Sequence, residues 1–162
     1  MTSALLESLG ELVEDDLDGV TLTPEGLRAV ADARFGEVTI RIDHEEDEEA
    51  DEGTASLRVQ VSVPPPAGAG PEFLLWCLAT NTQYWGVKVG LDEDGMLAVH
   101  ADLEAEGGRA DELLAADVLD RVESVLQLLD EDLTEYCLAH GLGTPAQRGR
   151  WQRRRPESEV ED

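Results

Sequence analysis

The chain is 162 residues long, which suits a single hydrophobic core, and aromatics supply only 4% of it, so Leu, Val and Ala must build that core. Its 37 Asp and Glu against 12 Lys and Arg leave a formal net charge of −25. Such a body repels phosphate backbones, which sets direct nucleic-acid binding by the folded part aside; its acidity either attracts basic proteins or serves solubility alone.

Residues 3–16 read as an amphipathic helix, with Leu5, Leu6, Leu9, Leu12 and Val13 on one stripe and acids opposite. Asp18 to Thr23 is a short extended piece. Thr23-Pro24-Glu25 then reads as a helix start running towards Phe35, with a strand as the alternative because Gly26 weakens the helix. Val38, Ile40 and Ile42 alternate with polar residues, as do Leu57, Val59, Val61 and Val63, so both stretches are half-buried strands. Between them Asp43–Gly53 holds eight acids, one His and no base, the composition of a mobile hairpin loop. Pro64 to Gly70 is a linker.

Pro71-Glu72 opens a helix that is apolar nearly all round through Leu78, so burial on two sides is expected. Trp85, Val87, Val89 and Leu91 alternate next, and Asp92-Glu93-Asp94-Gly95 turns the chain into Leu97, Val99 and Ala101, a β-hairpin. From about Ala110 to His140 one long apolar stripe predicts a helix approaching 45 Å at about 1.5 Å per residue, with a break near Asp130-Glu131-Asp132 and a stop at Gly141. Strands cluster and antiparallel neighbours dominate, which predicts the α+β class: one antiparallel sheet flanked by helices. One domain over residues 1–143 followed by a flexible tail, 144–162, is the expected organisation.

The block Phe73-Leu74-Leu75-Trp76-Cys77-Leu78-Ala79-Thr80-Asn81, then Tyr84 to Gly90, then Leu91 to Leu103, resembles the middle of YbjN-like proteins. Those share the fold of class I type III secretion chaperones, and Ala4 to Gly10 is similar to the family's first helix. The resemblance covers about two thirds of the chain and rests on patterns of residue class. The Thr23–Arg34 segment, the acidic loop and the tail after Gly143 have no counterpart. It implies the element order α-β-β-β-α-β-β-α, a homodimer that binds partner proteins, and no catalytic residues.

The sequence carries no recognisable catalytic or ligand motif. His44, His100 and His140 lie in no HExxH pattern, and no nucleophile elbow, CxxC, P-loop or GxGxxG occurs. Aligning Gly95 with the invariant glycine of an EF-hand puts Gly90 and Ala101 where carboxylates are required, so no calcium loop forms. No cofactor or metal is expected. Cys77 and Cys137 read as buried free thiols in a reducing cytoplasm, and nothing at the start resembles a secretory signal or a membrane span.

Two features remain as interaction candidates. Phe73, Trp76, Tyr84 and Trp85 are four of the seven aromatics within 13 residues, too crowded for one sheet face, and predict a dimer seam or partner groove. The tail concentrates five of the 12 basic residues, Arg148, Arg150, Arg153, Arg154 and Arg155, around Trp151. Such a segment can hold phosphates, stack bases or dock on acidic protein surfaces. The expectation is a non-enzymatic, chaperone-like homodimer engaging a basic partner such as a DNA-binding protein. The alternative is a DNA mimic or nucleic-acid accessory protein using the tail.

Overall fold

Alternating apolar residues and helical apolar stripes divide the chain among six strands and five helices, in a computed structural model that describes residues 2–45, 55–83, 86–105 and 111–152. The order is α1 (Thr2–Val13), β1 (Asp18–Leu22), β2 (Gly26–Ala33), β3 (Gly36–Glu45), β4 (Ala55–Val63), α2 (Pro71–Gln83), β5 (Val87–Leu91) and β6 (Leu97–Ala105). Then come α3 (Asp111–Gln127), a π-helical segment (Leu128–Leu133), α4 (Thr134–Ala139) and α5 (Pro145–Trp151). The strands form one sheet in the order β1-β2-β3-β4-β6-β5, antiparallel at every step. This is the expected α+β class.

The period of two separates the sheet's faces. Leu27, Ala29, Ile40, Ile42, Leu57, Val59, Val61, Val89, Val99 and Ala101 are buried, under α3 across β4 and β6, α2 against β5, and α1 against α3 and the β1–β2 hairpin. The other face carries a row across all six strands: Thr21, Arg28, Arg41, Gln60, His100 and Lys88. The neighbouring row holds Asp43, Arg58 and Asp102. No helix among the described residues is long and apolar enough to cross a membrane.

The structure corrects several expectations. Thr23-Pro24-Glu25 starts no helix. Thr23 and Gly26 exchange backbone hydrogen bonds at 2.8 and 3.3 Å and close the turn from β1 into β2, so the strand alternative holds. Any Cβ on Gly26 would collide with the Ile42 carbonyl oxygen, so close strand pairing requires glycine there. The β1–β2 hairpin therefore puts four strands, not three, before α2. Asp43, His44 and Glu45 belong to β3 and not to a loop, and Asp43 accepts from both Arg28 and Arg41 at 3.0 Å. The rest of the acidic loop lies outside the described residues.

The tail expected to be flexible from residue 144 begins instead with α5. Thr144 and Gln147 form a reciprocal capping box: the Thr144 hydroxyl accepts from the Gln147 N–H at 3.2 Å, and the Thr144 N–H donates to the Gln147 side chain at 2.8 Å. Pro145 fills the first turn. Trp151 is 1% exposed and lies 4.8 Å from the Phe35 ring, between centroids. Gly143, at φ +95°, leaves the space that the Trp151 indole fills. Arg148 donates to the carbonyls of Cys137, Leu138 and Leu142 at 3.0–3.2 Å, placing a cation on the C-terminal end of α4. Arg150 donates to the Phe35 carbonyl at 3.3 Å.

Candidate protein-binding surfaces

Helix α2 turns Phe73, Cys77 and Thr80 inward at i, i+4 and i+7. Its outer side is not polar: Leu74, Leu75 and Leu78 are 44%, 65% and 63% exposed. Burial on two sides was expected, and within the chain only one side is buried. Glu72 is the sole charged residue from Pro71 to Gln83, so this leucine face is also nearly free of charge. At the end of β5, on the strand face that α2 covers, Leu91 is exposed as well.

Two of the four aromatic candidates, Phe73 and Trp76, pack against the chain's own residues. Phe73 is buried, and Trp76 stacks on Tyr136 of α4 with centroids 4.7 Å apart. His140 stacks on Tyr136 at 4.1 Å, and Phe73 lies 6.0 Å from Trp76. This column ties α2 to α4. Tyr84 and Trp85 lie outside the described residues, as do Arg153, Arg154 and Arg155. Arg148, Arg150 and Trp151 are engaged in the contacts of α5.

The π-helical segment decides which residues of α4 meet α2. Thr134 donates its hydroxyl to the Leu129 carbonyl five residues back, at 3.0 Å, and the wider turn inserts one residue into the helix. One residue is about 100° of rotation, so the insertion re-aims everything after it, Tyr136 and Cys137 included. Asp130 holds the turn in place: wholly buried, it accepts from the Arg34 backbone N–H at 2.9 Å, and its carbonyl accepts from the Arg34 guanidinium at 2.9 Å.

Asn81 closes the leucine-rich block of α2. Its side-chain amide donates to the Val89 carbonyl at 3.0 Å and its carbonyl accepts from the Val89 N–H at 2.7 Å. Val89 pairs with Val99 of β6, and since β5 is the last strand of the sheet and both Val89 backbone groups meet Asn81, they point to the sheet's outer edge. Asn81 satisfies both and fastens α2 along that edge.

The titratable groups explain themselves by local packing. Burial pushes the Cys77 thiol up to about 11, and burial with Cys77 nearby pushes Cys137 up to about 12. Both thiols are thereby kept protonated and poorly nucleophilic. Burial first, then the Arg58 and Lys88 charges, hold His100 below the usual histidine range and outweigh Asp102, whose carboxylate stands 3.9 Å from Nδ1. Asp102 itself is lowered by its two hydrogen bonds from Arg58, at 2.7 and 3.2 Å. Asp92 accepts from the N–H groups of Asp94 and Met96, both at 2.9 Å, so the acidic hairpin uses that carboxylate to shape its own turn. Among the described residues no cluster of three or more His, Cys, Asp or Glu could hold a metal ion.

A family model described as "YbjN: Putative bacterial sensory transduction regulator" matches residues 45–135, more than half of the chain. The chain belongs to the YbjN family. The matched span takes in β4, the leucine face of α2, the Asn81 clamp, the β5–β6 hairpin, α3 and the π turn; the β1–β2 hairpin and α5 fall outside it. The solved structure of YbjN from E. coli is 20% identical, covering 86% of this chain and 96% of its own at a TM-score of 0.48. The heterodimeric ExoU–SpcU complex from the type III secretion system of Pseudomonas aeruginosa is 24% identical, covering 78% of this chain and 88% of its own at a TM-score of 0.32. No curated protein matches the chain. The α+β class of this YbjN member stands on the pairing of its own six strands.

Proposed function

We propose that the protein is a non-catalytic binding module of the cytoplasm that acts as a homodimer through α2 and engages a basic partner protein. The observation that carries this reading is the uncharged leucine face of α2 on a chain of net charge −25. Two copies repel each other over most of their surfaces, and an isologous contact is least opposed where charge is missing. Leu74, Leu75 and Leu78 supply the apolar area, with Trp76 at the border and Phe73 packed beneath. Tyr84 and Trp85 follow α2 directly in sequence and are proposed to extend the same seam.

The acidic remainder favours a basic protein, such as a DNA-binding factor, because complementary charge sets encounter rate and partner choice. The family's description as a regulator agrees with action through protein contacts. The tail-based nucleic-acid reading is weakened by Arg148, Arg150 and Trp151 being committed to internal contacts. Buried thiols and the missing catalytic motifs support a reducing compartment and a role without chemistry.

Sedimentation of the full chain tests the dimer. Leu75→Glu with Leu78→Glu should turn a dimer into a monomer, while Leu113→Glu, nearly as exposed but on α3, should leave the dimer intact. A wild-type chain that sediments as a monomer at every concentration overturns the reading.

A further inference from the structure

A second surface lies away from α2 and combines an apolar floor with an acidic rim. Between the α1–β1 turn and the flank of α3 runs an open groove of about 500 Å³. Leu17, Leu119 and Leu126 form its floor, and Asp16, Glu123 and Glu131 its rim. No basic residue lines it. Arg121 is the only base in α3, and it stands two residues from both Leu119 and Glu123, about 200° round the helix. The groove therefore keeps its negative charge uncompensated by its own helix. At its end Glu131 belongs to the π-helical segment, where Gln127 donates to it at 3.4 Å.

We infer that this groove takes a basic amphipathic helix of the partner protein. The inference rests on the basic-partner reading above and names the site where that partner is held. Leu119 and Leu126 are two turns apart on one flank of α3, half-buried against the core, and Leu17 faces them from the α1–β1 turn. A helix seated between such elements anchors apolar side chains at i, i+3, i+4 and i+7 on the floor. Lys or Arg on its margins then meet Asp16, Glu123 and Glu131. The charge decides the occupant: an acidic segment is repelled, and a second copy brings the same acidic rim. Because the groove is built by the α1–β1 turn, α3 and the π-helical segment, and the seam by α2, one dimer can hold a partner on each copy.

Fluorescence anisotropy tests this on the full chain with synthetic peptides as probes. One is a Leu/Lys peptide with leucines on a single helical face, the second its scrambled form, and the third an oligolysine. The amphipathic peptide should bind about tenfold or more tighter than the scrambled one. Glu123→Lys with Glu131→Lys, both exposed positions that leave the core untouched, should cut its affinity by at least about tenfold. Glu93→Lys with Asp94→Lys, the same charge change in the β5–β6 turn, should have a much smaller effect. Equal binding of the first two peptides, or equal loss from both double variants, overturns the groove and leaves the basic-partner reading standing. Failure of all three peptides to bind at low salt overturns that reading and the groove with it.

Discussion

His100 stands in the polar row of the open sheet face, with Gln60 beside it on β4 and Lys88 on β5, and Arg58 and Asp102 in the next row. Burial and two neighbouring cations hold its pKa below the histidine value of 6.5, so the unfolded chain takes up the proton first as pH falls. Stability contributed by the neutral imidazole is full above pH 6.5 and drains away between that value and the lowered folded pKa. Urea titrations below pH 6.5 should show stability falling with pH, and His100→Gln should flatten that slope; an unchanged slope would count against the assignment. The alternation of β6 was legible and placed His100 in a strand. Which charges face it was not, because strand pairing brings Arg58 from 42 positions earlier in the chain. Asn81 was legible only as a residue type at a helix end, since its work depends on an edge strand whose register no local pattern specifies.

At the scale of elements, α5 carries the clearest lesson. Thr144-Pro145-Ala146-Gln147 is a capping-box sequence with proline in the first turn, a local signal of a helix start. The arginines that follow read as a solvated tail and mask that signal. The structure assigns Arg148 to the end of α4 and Trp151 to the core. Trp151→Ala should therefore cost about 3–5 kcal/mol, a large share of a typical stability of about 5–15 kcal/mol. A flexible tail would give no change in the urea midpoint. At Thr23-Pro24 the same dipeptide serves a β-turn instead, because alternation, not a helical stripe, follows it. The break at Asp130-Glu131-Asp132 was legible from charge density within an apolar stripe. Its π character was not, because it depends on Arg34 reaching Asp130 across 96 positions.

Over the whole molecule the net charge of −25 acts on two associations with opposite sign. The proposed dimer brings like-charged bodies together through an uncharged seam, so screening should tighten it. A basic partner is attracted by that charge, so screening should weaken its capture. Raising salt from about 0.05 to 0.5 M, where the Debye length shrinks well below 10 Å, should lower the dimer dissociation constant and raise the peptide one. Both moving the same way would contradict the division of labour between α2 and the acidic surface. Charge and the order of the main elements were plain in composition and pattern; the exposure of Leu74, Leu75 and Leu78 was not, since the aromatic content drew attention to α2 through Phe73 and Trp76, which pack against the chain itself. The Asn81 amide occupies the β5 border of the sheet. A five-residue border strand whose central residue is already satisfied offers no continuous run of free backbone. The sheet can then be extended from its β1 side alone, and a protein with a single growable border cannot polymerise into a sheet-continuous filament, however concentrated it becomes.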